Sequence, residues 1–359
     1  MRKILLCAAA GILLASALQA QPLRLLVGTL TDEEDCPGAF LMRFDPADGS
    51  NAQLASARMR NPTFITLSAD GSRAWSVCEY SDGRQGVYAC ALGEETLELQ
   101  GFQSSSPEGN ISGNPCNILF LNGFILTANY TGGSVSVFPI EEDGSLGPLC
   151  RTFSFGEKSR MHCCTLSPDG RWLFASDLGC DAIRRFPVTA SEDLPVGEPD
   201  IAFQATPGSG PRHFIFSADG RFCYLLGELG DTLTVLRYED GTLTPVQELK
   251  AYRGRGKGSA DIHLSPDGRF LYTSHRLRRD GIAIFKVNPE SGRVRRVAYR
   301  RTGTHPRNFT LSPDGRWLLC ACRDADAVEV YRRNMTTGRL RRVPARTVRI
   351  PRPMFVQLF

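Results

Sequence analysis

Residues 210–238 read Gly-Pro-Arg-His-Phe-Ile-Phe-Ser-Ala-Asp-Gly-Arg-Phe-Cys-Tyr-Leu-Leu-Gly-Glu-Leu-Gly-Asp-Thr-Leu-Thr-Val-Leu-Arg-Tyr. Three short strands are expected here, at 213–217, 222–226 and 232–238, and the third alternates in the two-residue period of a half-buried strand. Asp219-Gly220 predicts a tight turn, since glycine accepts a positive φ and a short polar residue before it suits a hairpin. With pairing symmetric about Gly220, Arg212 faces Glu228, and a charged pair sits at the open end of the hairpin.

The same unit returns along the chain. Asp70-Gly71, Asn122-Gly123, Asp169-Gly170, Asp219-Gly220, Asp267-Gly268 and Asp314-Gly315 head it at steps of 52, 47, 50, 48 and 47 residues. Leu-Ser-Pro-Asp-Gly-Arg stands at 166–171, 264–269 and 311–316. A period near 48 with four strand-like runs per unit predicts an all-β fold, a β-propeller with four-stranded blades. After residue 22 come three strand-like runs, at 23–30, 39–45 and 54–58. They match strands two to four of a blade that lacks its first. The chain ends Pro-Arg-Pro-Met-Phe-Val-Gln-Leu-Phe at 351–359, which fits that missing strand. Six internal units and one composite make seven blades, in a ring closed by pairing of the N- and C-terminal strands. Closure removes two sheet edges that would otherwise invite aggregation.

Arg2-Lys3 precedes an apolar run at 4–14 and small residues at Ala15-Ser16-Ala17 and Ala20. That pattern is a secretory signal peptide over residues 1–20, too short to span a membrane. Residues 21–359 are then one exported domain, periplasmic or secreted, with no further membrane segment. The formal net charge is +4, and the basic residues fall as scattered arginine pairs rather than an aromatic-interleaved stripe. Nucleic acid is therefore not an expected partner. Twelve cysteines are present, eleven after cleavage, and no Cys-x-x-Cys occurs. A zinc site is not expected. Several cysteines (Cys78, Cys223, Cys320, Cys322) fall in strand cores, where the thiol acts as a small hydrophobe. Export permits disulfides without specifying any.

Seven residues before each turn aspartate, or asparagine, stand Thr63, Pro115, His162, Arg212, Ala260 and Arg307. Nine residues after it stand Glu79, Thr131, Leu178, Glu228, Arg276 and Arg323, with Asn129 and Asp177 nearby. Hairpin geometry puts both positions at one end of every blade. They surround one mouth of the central channel if the first strands are innermost, and such loops carry function on rigid scaffolds. The competing reading is a solvated polar rim with a structural Arg212–Glu228 pair. The clustering of all five histidines (162, 213, 263, 275, 305) at or near these ends favours function.

Residues 160–181, Gly210-Pro-Arg-His-Phe, the run from Gly258-Ser-Ala-Asp-Ile-His to Tyr272, and His305-Pro-Arg-Asn-Phe resemble the propeller-type lactonase family. That family includes bacterial 6-phosphogluconolactonases and fungal 3-carboxy-cis,cis-muconate lactonizing enzymes. The resemblance covers the chain from Val27 to Phe359. It implies a seven-bladed propeller with a metal-free, cofactor-free site of one histidine, two arginines and one glutamate. By motif these are His162, Arg212, Glu228 and Arg276. Arg307, Arg323, His213, Asn129 and Glu79 are the candidate substrate-binding residues. Two departures stand out. Arg160-Met161-His162 replaces a common His-x-His, and His275 occupies a position where a small polar residue is usual.

Lactone hydrolysis needs an activated water and a partner for the oxyanion. A neutral histidine takes a proton near neutral pH, and Glu228 is the other candidate base. Arginine forks suit an oxyanion, a phosphate or a carboxylate. The set therefore predicts a small anionic or sugar-derived lactone as substrate. Two other reactions fit the same residues less directly, a muconate-type cyclisation and non-catalytic binding of an acidic ligand. A calcium-like ion on Glu79, Asn129, Asp177 and Glu228 is disfavoured by the arginines around it.

Overall fold

The structure is a computed structural model and describes residues 21–31, 36–105, 113–252 and 257–359. The proposed signal peptide at 1–20 lies outside them. The described chain is all β, with two single-turn 3-10 segments and no α-helix. Seven antiparallel sheets form a propeller, as the repeat predicts.

Blade 1 comprises Ile65–Leu67, Arg73–Cys78, Gly86–Leu92 and Leu97–Ser104. Blades 2 to 6 open on Pro115–Leu121, Met161–Leu166, Pro211–Phe216, Ser259–Leu264 and Pro306–Leu311. Blade 6 carries an extra short strand, Val348–Arg349, on the flank of Ala327–Arg333. Blade 7 is the composite: Pro353–Leu358, then Leu23–Thr29, Gly38–Phe44 and Asn51–Arg58. Val27 pairs with Val356 and Leu25 with Leu358, so the two ends of the chain share one ladder. First strands of successive blades lie side by side and line the axis.

The core lies between blades. Phe44, Trp317, Leu319, Val330 and Val356 form one apolar cluster across blades 6 and 7. Trp317 also donates its Nε1–H to the Pro46 carbonyl at 2.8 Å, which ties blade 6 to a blade 7 loop. All eleven cysteines of the described residues are free thiols, and Cys78, Cys223, Cys320 and Cys322 are buried in the strand cores.

The repeated turn is wider than a two-residue hairpin. In blade 3, Ser167 N–H bonds the Trp172 carbonyl, and Gly170 N–H, at φ +70°, bonds the Ser167 carbonyl. Asp169 Oδ1 accepts from Ser167 Oγ–H at 2.6 Å and from Arg171 N–H at 3.0 Å. Aspartate is there to satisfy loop donors with its own carboxylate. Among the six repeated turns only Asn122-Gly123 makes the true two-residue turn, both residues having positive φ, with Leu121 opposite Phe124. Its shorter loop moves the blade 2 count by one, so Cys116 rather than Pro115 takes the rim position.

A second feature was not expected. The inner hairpins of blades 2 to 6 all shift register at the rim end of the first strand. The residues left without a cross-strand partner are Cys116, His162, Arg212, Ala260 with Asp261, and Arg307. A bulge of this kind bends the strand and re-aims a side chain. Arg212 therefore does not stand opposite Glu228 in the ladder. Pro211 faces Gly227 and His213 faces Leu226, with Arg212 in the bulge between them.

Candidate active site

Those bulges place His162, Arg212 and Arg307 together at one mouth, with Glu228 and Arg276 supplied by the residues that follow the second strands of blades 4 and 5. Arg212 is almost fully buried. Its Nε–H donates to Glu228 Oε2 at 2.7 Å, and Nη1 donates to the Ala260 carbonyl. Arg276 Nη2 donates to the other carboxylate oxygen, Oε1, at 2.7 Å, while its Nε–H bonds the Gly258 carbonyl at 3.2 Å. One carboxylate thus joins two guanidinium groups from adjacent blades, each with a further backbone acceptor. Forked, charge-assisted bonds of this kind fix both direction and distance.

His162 Nε2 lies 3.9 Å from Glu228 Oε2, too far for a hydrogen bond. Its ring meets Tyr130 and His213 edge-to-face, at 5.7 and 5.3 Å between centroids. Arg307 is half-buried and, among the described residues, makes no hydrogen bond or ion pair, though its charge acts on Arg212, Arg276, Glu228 and His162. Three guanidinium groups and one carboxylate leave the mouth with a net positive charge.

Electrostatics sort the acids from the bases. Burial lowers the His162 pKa well below 6.5, helped by the charges of Arg212 and Arg307, so its imidazole is neutral at pH 7. Burial alone would raise Glu228, but Arg212, Arg276 and Arg307 outweigh it and hold the carboxyl below its usual range. Burial and the neighbouring Arg307 lower Arg276 to about 9, which still leaves it charged at neutral pH.

The remaining candidates separate. His213 Nδ1 lies 2.8 Å from Asp261 Oδ1, deeper along the first strands. Glu79 takes the hydroxyl of Thr63 on the blade 1 side of the rim. Arg323 donates to Asp324, whose Oδ2 stands 3.3 Å from His305 Nδ1. Asn129 corrects the prediction. It is fully buried in blade 2, with its amide bonded to Thr127, Ser134 and Ser136, and it presents nothing to a substrate. Arg160 turns its guanidinium back onto the Glu157 and Ser159 carbonyls. His305, whose Nε2 lies 3.4 Å from Arg276 Nη1, and Asp261 were missing from the predicted set. Asp261 had a signal in the sequence, an acid beside the rim position between two apolar residues.

Seven four-stranded blades around a cationic, histidine-bearing mouth define a β-propeller with a candidate active site at one end of its axis. The chain belongs to the family described as "Lactonase, 7-bladed beta-propeller", whose profile matches residues 24–358. It is 31% identical over 346 residues to a 6-phosphogluconolactonase of Formosa agariphila, covering 90% of this chain and 96% of the relative. A solved structure from Bacteroides fragilis superposes with a TM-score of 0.90 at 37% identity, covering 96% and 99% of the two chains. The periplasmic gluconolactonase of Pseudomonas aeruginosa superposes at 0.85 with 31% identity, covering 94% and 99%. The protein is a lactone hydrolase of this family.

Proposed function

We propose that this chain hydrolyses an anionic lactone of a sugar acid, without a metal ion, in the periplasm or outside the cell. Arg307 carries the reading: a guanidinium at the mouth whose side chain has no hydrogen-bond or ion-pair partner among the described residues. With Arg212 and Arg276 tied to Glu228, it is the guanidinium free to take a phosphate or carboxylate. An exported location is argued from the basic-apolar-small pattern of residues 1–20, and it fits the periplasmic relative. The electropositive mouth also disfavours a divalent cation.

In this mechanism Arg307 holds the substrate's anionic group and the lactone carbonyl faces Arg212. His162 Nε2 removes a proton from the attacking water as the new C–O bond forms. Guanidinium donors in a water-poor site stabilise the oxyanion. The protonated imidazole then returns its proton to the ring oxygen as the ring C–O bond breaks. Glu228 keeps both arginines aimed and offers the transient imidazolium a counter-charge.

A lactone panel with and without chelator tests this, comparing 6-phosphoglucono-lactone with uncharged glucono-lactone. Arg307→Gln should raise KM for the phosphorylated substrate about tenfold or more, the scale of one charge-assisted bond, and leave the uncharged one nearly unchanged. Equal effects on both, or activity abolished by the chelator, would overturn the assignment.

A further inference from the structure

Asp261 is a charge that its structural duty does not require. In blade 2, Asn117 Oδ1 accepts the Cys164 N–H of blade 3 at 2.9 Å. In blade 6, Asn308 Oδ1 accepts the Val356 N–H of blade 7 at 2.8 Å. Asp261 holds the same place in blade 5, where its Oδ2 accepts the Phe309 N–H of blade 6 at 3.2 Å. This staple between inner strands needs one acceptor oxygen, and an amide supplies it in two blades. Blade 5 buries a carboxylate instead, which costs far more unless the charge is used.

The second oxygen shows the use. Oδ2 also collects the Asn308 amide at 2.6 Å and His263 Nε2 at 2.9 Å. Oδ1 is turned to His213 Nδ1 alone, at 2.8 Å. A carboxylate can only accept, so His213 carries its proton on Nδ1 and exposes a lone pair at Nε2. That Nε2 is buried and has no partner. The neighbouring imidazole has the matching defect: His162 Nδ1 is also buried without a partner. The two rings lie edge-to-face, 5.3 Å between centroids and 68° apart. Two orphaned nitrogens in such close rings suit one bridging water.

We propose that Asp261 and His213 are positioning residues for His162, acting through one water that accepts from His162 Nδ1–H and donates to His213 Nε2. The inference rests on the reading of His162 as the base. The order of protons then has one solution. Asp261 fixes His213 as the Nδ1–H tautomer, and His213 accepts from the water. The water in turn accepts from His162, whose Nε2 is left bare towards Glu228 and the mouth. That is the nitrogen the hydrolysis needs. A fixed tautomer of this kind is what an aspartate behind a catalytic imidazole supplies.

Asp261→Asn is the test, because asparagine already makes this staple in blades 2 and 6. Its amide would donate to His213 Nδ1 and reverse the tautomer order. The melting temperature and KM should stay close to wild type, while kcat falls about tenfold or more. His213→Phe keeps the ring and removes both nitrogens; it should cost a similar factor, and the double variant should cost little more than either alone, as expected of groups acting as a unit. Nitrogen-15 NMR of the histidine side chains in the whole protein reads the tautomer directly and needs no turnover. His162 should be Nδ1–H in the wild type and lose that preference in Asp261→Asn. Asp261→Asn with wild-type kcat, or an unchanged His162 tautomer, would reduce Asp261 to a staple. If His162→Ala itself keeps full activity, the base assignment fails instead, and the NMR result still decides whether the relay exists.

Discussion

At the scale of single residues, burial holds the His162 imidazole neutral beside the Arg212–Glu228–Arg276 cluster. His162→Ala should lower kcat by roughly 10²–10⁴, the usual worth of a general base. Arg212→Ala should cost about 10²–10³ if its guanidinium meets the oxyanion, and Arg212→Lys should recover only part, because an ammonium lacks the fork that Glu228 and Ala260 engage. The pH profile gives an independent check. Because the pKa of His162 is depressed, the base stays deprotonated below pH 6.5. The acid limb of kcat/KM should therefore bend clearly below 6.5, and a limb at or above that value would point to another group. The gathering of Arg212, His162, Glu228 and Arg276 at one mouth was legible in the sequence, because the first two stand seven residues before, and the last two nine residues after, a repeated turn aspartate. Asn129 lies seven residues past its turn rather than nine, in register with Gly227 and His275 rather than with Glu228 and Arg276, and its side chain stays within its own blade.

At the scale of the element, the seven-blade plan could be read from the Asp-Gly period and the unmatched termini, but the bulges could not. A bulge adds one residue to a strand without changing its hydrophobic alternation enough to be noticed, and here it is the device that turns His162, Arg212 and Arg307 into the mouth. The closing strand is the element whose loss is easiest to measure. Met354, Phe355, Val356 and Leu358 are buried on it. At about 1.5–3 kcal/mol each, their removal rivals the net stability of a typical domain, about 5–15 kcal/mol. Deleting residues 351–359 should abolish the cooperative melting transition, as followed by circular dichroism. A truncated chain that melts like the full one would show that blade 7 stands on three strands.

Over the whole molecule, stability should depend on acid through histidines held neutral by burial. Burial lowers His213 to about 4 and both His275 and His305 to about 3, and it lowers His162 as well. Unfolded histidine titrates near 6.5. Below that pH the unfolded chain binds protons the folded chain refuses, so stability is full above 6.5 and falls as the pH drops towards 4, by about 1.4 kcal/mol per pH unit for each proton of difference. Melting temperatures between pH 7.5 and 4.5 should be flat at the upper end and decline steadily below 6.5. A flat curve throughout would mean these rings are solvated.

The shared ladder of blade 7 also sets an order of events. Leu23–Thr29 is made before the other six blades, and its inner partner, Pro353–Leu358, only after them. Until residue 358 is delivered, that first strand keeps a bare row of amides and carbonyls, and no arrangement of the other six blades can supply its neighbour. Contacts so distant in sequence form slowly, since a long loop must close before they gain anything. The ring therefore locks only once residues 353–358 have been made, and a chain threaded through a membrane from its N-terminus would cross most of its length still unclasped.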